Sequence, residues 1–97
     1  MESLDRTAAT ALRQALQHQP LTRAKVEFAW RIAAGPALAR ATSITWSDDG
    51  RLEVRARTEA WRLEVVRARP VIVQRISQLI GPDAVRTCVV LQDSARA

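Results

Sequence analysis

Ser43-Ile44-Thr45-Trp46-Ser47-Asp48-Asp49-Gly50-Arg51-Leu52-Glu53-Val54-Arg55-Ala56-Arg57 decides the fold. Ile44 and Trp46 alternate with Ser43, Thr45 and Ser47, and beyond Asp48-Asp49-Gly50 the residues Leu52, Val54 and Ala56 alternate with Arg51, Glu53, Arg55 and Arg57. A period of two marks half-buried strands, and the Asp-Gly pair supplies residues that tolerate positive φ. The stretch therefore reads as a two-stranded antiparallel hairpin whose second strand has a basic outer face.

Helical periods lie on both sides of it. Upstream, Ser3 is placed to cap a helix carrying Leu4, Ala8, Ala11 or Leu12, Ala15 and Leu16, which stops before Pro20. A second helix begins at Thr22 and puts Val26, Ala29, Trp30 and Ala33 on one face, with Arg23, Lys25, Glu27 and Arg31 mostly on the other. Gly35-Pro36 breaks it, and Pro36 suits the first turn of a short continuation through Ala39. Downstream, Thr58-Glu59 fits a helix start, and Trp61 and Val65 form an apolar pair one turn apart. A break is expected at Arg67-Ala68-Arg69-Pro70, followed by a helix bearing Ile72, Val73, Ile76, Leu79 and Ile80 that ends at Gly81-Pro82. A last strand runs from about Val85 to Leu91. The expected order is ααββααβ, an α+β domain over residues 1–91 with helices packed on one face of a three-stranded sheet, and residues 92–97 form a frayed tail.

Ninety-seven residues, 47% hydrophobic and 26% charged, suit one globular core and exclude a multidomain enzyme. The formal charge of +5 favours a polyanionic partner, nucleic acid first. All basic residues but Lys25 are arginine. That bias suits bidentate phosphate contacts, and a GC-rich genome would write it too. The single cysteine, Cys88, sits in an apolar run and reads as a buried strand residue. With no signal peptide and no apolar run near the roughly 20 residues of a bilayer span, a cytoplasmic protein without a membrane partner is expected.

Catalysis has little to rest on, because the one histidine, His18, has no Ser, Cys or Asp that spacing forces near it. One His and one Cys far apart do not make a metal site, and glycines isolated at 35, 50 and 81 do not make a phosphate loop. Asp48 and Asp49 are turn formers rather than an acid/base pair. No enzyme activity, cofactor, metal or small-molecule substrate is expected. Arginines carry the functional reading: Arg51, Arg55 and Arg57 on one strand face and Arg62, Arg67, Arg69 and Arg75 on the following helices. Should the hairpin's outer face and the Arg67-Pro70 turn share one side, these seven form a continuous cationic strip for a sugar-phosphate backbone. The competing reading is a charge-mixed surface in which Glu53, Glu59 and Glu64 pair with their neighbours. Trp30, Trp46 and Trp61 invite a stacking role, yet each has a place in the core.

The run Trp30-Arg31-Ile32-Ala33-Ala34-Gly35-Pro36-Ala37-Leu38-Ala39-Arg40-Ala41-Thr42, then Asp49-Gly50-Arg51-Leu52-Glu53-Val54, then Glu59-Ala60-Trp61, resembles the bacterial DciA family over about residues 26–91. Ala34 and Val65 stand where the family pattern has a bulkier aliphatic and a leucine. The resemblance implies a non-enzymatic DNA-binding protein that works with the replicative helicase DnaB and helps load it at replication initiation. It also implies a K-homology-like fold of the second topology, although Arg67-Ala68-Arg69-Pro70 replaces the Gly-x-x-Gly clamp. Two other readings stand beside it. One is a K-homology-like RNA-binding module, and the other is a protein-interaction or dimerisation domain with an incidental basic surface.

Overall fold

Thr22 opens a helix because its hydroxyl accepts the Lys25 amide hydrogen bond at 3.1 Å, satisfying a donor that a helix start leaves orphaned. In the computed structural model residues 10–11 and 20–93 are described. The expected N-terminal helix, apart from the helical Thr10 and Ala11, lies outside them, as do residues 94–97. Helix α1 (Arg23–Ala34) buries the expected stripe of Val26, Ala29, Trp30 and Ala33. Lys25 is buried too, contrary to its expected solvent-facing place, because it stands one turn before the fully buried Ala29. Burial lowers the pKa of its ammonium group. Gly35, at φ +87°, ends α1, and Pro36 enters the first turn of α2 (Pro36–Arg40).

Strands β1 (Thr42–Ser47) and β2 (Arg51–Ala56) pair antiparallel, with Ile44 opposite Val54 and Trp46 opposite Leu52. The turn differs in detail from the expected Asp-Gly geometry. It is a three-residue loop in which Gly50 alone takes positive φ, while the Asp49 carboxylate accepts from the Ser47 hydroxyl and the Arg51 amide. Those two bonds hold the Asp49 pKa below the usual carboxylate value. The Gly50 carbonyl in turn accepts from the amides of Arg86 and Thr87 at 2.7 and 3.1 Å, fastening the start of β3 (Thr87–Gln92) to the hairpin. A Cβ at Gly50 would meet Arg86 Cγ at 2.8 Å, so close approach as well as φ requires glycine there. Strand β3 pairs parallel with β2, which lies in the middle of the sheet. It starts two residues later than expected and includes Gln92, which corrects the start of the frayed tail.

The main correction concerns the fourth expected helix. Glu59–Ile80 form one helix, α3, with Pro70 inside it, and the described order is ααββαβ. Val65, Ala68, Ile72, Ile76 and Ile80 continue in helical phase straight through Pro70. Burying one aliphatic side chain gives about 1.5–3 kcal/mol, so keeping this whole stripe in phase outweighs the ~3 kcal/mol penalty of one internal proline. Pro70 is exposed, which leaves water available to the carbonyl it deprives of a donor. The helix–helix junction expected at 67–70 is therefore absent. Helices α1 and α3 cover the sheet face formed by Leu52 and Val54, and Ile44, Trp46, Cys88 and Val90 pack against that core. Among the described residues no helix is long and apolar enough to cross a membrane.

Replacing Pro70 with alanine restores a backbone donor without disturbing the buried stripe. Pro70→Ala should stabilise the domain by about 1–2 kcal/mol, a rise in Tm of several degrees by thermal unfolding. A lower Tm would mean that the packing of α3 needs the proline.

Candidate nucleic-acid interface

The two-layer fold separates the seven expected arginines. Arg51 and Arg55 lie on the outer face of β2, where both bind Glu53, at 3.1 and 3.4 Å. Arg62 makes two 2.8 Å hydrogen bonds to Glu59, and Arg67 lies 3.6 Å from Glu64. Arg69 reaches the Cys88 carbonyl at 3.4 Å. Arg75 donates to the Ala33 carbonyl at 3.1 Å and so satisfies an acceptor in the last turn of α1. Because α3 is unbroken, Arg67 sits about 200° round the helix from the buried Val65 and points away from the sheet, whereas Arg51 and Arg55 are on the sheet's far side. The expected continuous strip is thus divided between opposite sides of the domain.

Arg57 is different. Its amide donates to the Ala41 carbonyl at 3.1 Å, carrying the hairpin ladder one step beyond β1 and β2, and this brings Arg57 beside Arg40 at the end of α2. Thr58 then caps α3 through the Trp61 amide at 3.1 Å and fixes Trp61 in the first turn. Ala37, Arg40, Ala41, Arg57 and Trp61 line an open depression of about 260 Å³. Among the described residues neither Arg40 nor Arg57 has an ion pair or hydrogen bond to its guanidinium, and no carboxylate lines the depression. A smaller hollow of about 120 Å³, lined by Thr45, Trp46, Ser47, Arg51 and Glu53, has the Glu53 carboxylate in its wall, which opposes an anion there.

The position of α2, and with it Arg40, is held from below. The buried Trp30 indole donates to Thr42 Oγ1 at 3.2 Å, and that hydroxyl donates to the Leu38 carbonyl at 2.7 Å. Trp46 is likewise engaged, its indole N–H donating to the Ala84 carbonyl at 2.8 Å. These two tryptophans take the core places expected of them. Trp61 does not: it is half-buried and, unlike Trp46, is not among the side chains packed against the core cluster, and among the described residues its indole N–H has no acceptor. Arg40 went unnoticed in the sequence, although counting the hairpin register outward from Gly50 places Ala41 opposite Arg57 and so points to it.

Electrostatics follow the pairing. The two hydrogen bonds from Arg62, then its charge, hold the Glu59 pKa below the ordinary value, and Glu59 in turn raises that of Arg62. Burial pushes the Cys88 thiol up, with the nearby Arg69 charge acting against it, so at neutral pH the thiol is protonated. Among the described residues no group of three or more His, Cys, Asp or Glu is placed to hold a metal ion.

Residues 3–90 match the family model described as Dna[CI] antecedent, DciA. No curated protein matches the chain.

The Glu59–Arg62 pair has a defined pH signature. A depressed folded-state pKa gives a contribution present in full above the unfolded value of about 4.3, and lost as pH falls through the lower folded one. Glu59 should titrate below the ordinary glutamate range by NMR, and Arg62→Gln should return it to that range. An unchanged Glu59 midpoint in the variant would show that Arg62 does not set it.

Proposed function

Since the chain belongs to the DciA family, we propose that it is a non-enzymatic, cytoplasmic DNA-binding module that assists loading or operation of the replicative helicase DnaB at replication initiation. The family match over residues 3–90 carries the helicase part of this reading. Support for the DNA part comes from the net charge of +5 and from Arg40 and Arg57, which line one depression at one end of the sheet with no guanidinium partner among the described residues. Guanidinium groups bind phosphate bidentately, and cations without a local carboxylate keep their full attraction for a polyanion. Arg51, Arg55 and Arg62 share acids and contribute mainly to the general positive field. The RNA-binding alternative loses support with the unbroken α3, since a clamp between two helices has no junction to occupy.

Size-exclusion chromatography with light scattering, on the protein mixed with the helicase of the same organism and with or without single-stranded DNA, tests the partner. Co-elution is expected; separate peaks with an intact helicase would overturn the helicase role. For DNA itself, the double variant Arg40→Gln/Arg57→Gln should weaken binding and flatten the slope of log affinity against log salt by about 1.4, the value for two single-strand phosphate contacts. The pair Arg55→Gln/Arg67→Gln should change the slope less. The reverse ranking would move the interface away from this end of the sheet.

A further inference from the structure

We propose that the depression bounded by Arg40, Arg57 and Trp61 is a stacking site for one unpaired base of a single DNA strand, with the two guanidiniums holding the flanking phosphates. This rests on the DNA-binding reading above and adds to it the form of the ligand. Four observations lead here. Trp30 and Trp46 pack in or against the core and spend their N–H on the fold, whereas Trp61 is half-buried, outside that packing, with no acceptor among the described residues. Its neighbours in the lining, Ala37 and Ala41, are small, which leaves the depression open among the described residues. A volume of about 260 Å³ lies just under the roughly 300–1,000 Å³ typical of drug-sized ligands and leaves room for a single aromatic base. Two arginines without acids border that space and supply charge for the backbone on either side of the base.

The acid in the same helical turn as Trp61 does not oppose the assignment. Glu59 stands two residues before Trp61, roughly 160° away around the helix, and is occupied by Arg62. It neither lines the depression nor presents a free charge to it. Stacking requires an open base face, which a duplex keeps buried between neighbouring pairs, so the site separates single from double strands without reading sequence.

Fluorescence anisotropy with a short oligothymidylate, a duplex of equal length and an oligouridylate, together with tryptophan emission of the full chain, provides the test. Trp61→Ala should lower affinity for oligothymidylate about tenfold and that for the duplex less than twofold. Trp61→Phe keeps an aromatic face, so it should retain most of the affinity and the Tm while abolishing the emission quenching that saturating oligothymidylate causes in the native protein. Quenching that persists in Trp61→Phe, or an equal loss for single strand and duplex in Trp61→Ala, would overturn the stacking site. Should Arg40→Gln/Arg57→Gln weaken binding while Trp61→Ala does not, the phosphate contacts stand and the stacking site falls. Absence of any nucleic-acid binding at low salt would remove both. Comparable quenching by oligouridylate supports recognition of an unpaired base on either sugar, and quenching by oligouridylate alone overturns the assignment to DNA.

Discussion

The structure depends on β2, which is paired on both sides and buried on one face. Leu52, Val54 and Ala56 are fully shielded, the first two beneath α1 and α3. Antiparallel pairing with β1 needs only a three-residue loop, whereas parallel pairing with β3 needs a crossover of a dozen residues or more, and α3 provides it. That constraint fixes the geometry of the candidate site. The chain leaves β2 at Ala56 and enters α3 at Glu59, so Arg57 and Trp61 must lie at the same end of the sheet where β1 begins and α2 delivers Arg40. Three residues, from α2, the β2–α3 link and α3, meet there because the topology leaves them no other place.

The hairpin, the Thr22 and Thr58 caps and the buried stripe of α1 were legible in the sequence because each is set by local chemistry, a period of two, a hydroxyl before a helix, a period of three to four. The continuity of α3 was not. Pro70 is a strong local stop signal, and only the tertiary demand of a stripe that stays in phase from Val65 to Ile80 overrides it. The division of the strip follows from the same point: with a turn at residues 67–70 Arg67 could swing toward the hairpin, and on a continuous helix it points away while Arg69 turns to the Cys88 carbonyl. The basic character of Arg57 is plain in the sequence, but its neighbours Arg40 and Trp61 group with it only through the register of the backbone beyond the strand ends.

Net charge therefore misjudges where a polyanion is attracted. Exposed ion pairs are worth only about 0–1 kcal/mol each, so the Glu53, Glu59 and Glu64 contacts add little to stability. Their larger effect is on the field. Glu53 is shared by two arginines in the middle of the outer sheet face, and the backbone carbonyls of Ala33 and Cys88 orient two more cations for structural ends. Arg40 and Arg57 are a small part of the basic surface, but among the described residues they line one depression with neither guanidinium held by an acid or a carbonyl.

Rigidity is the other half of recognition, since groups ordered before binding lose less entropy when they bind. Arg40 sits on a helix of only five residues, too short to hold itself in water. It is held instead by the relay from the buried Trp30 indole through Thr42 Oγ1 to the Leu38 carbonyl, and by the ladder bond from Arg57 to Ala41. A core tryptophan thus fixes the backbone from which Arg40 extends into the depression. The domain core and the proposed interface are for this reason coupled: loosening Trp30 loosens α2, and with α2 the placement of Arg40 beside Arg57 on which the proposed phosphate contacts depend.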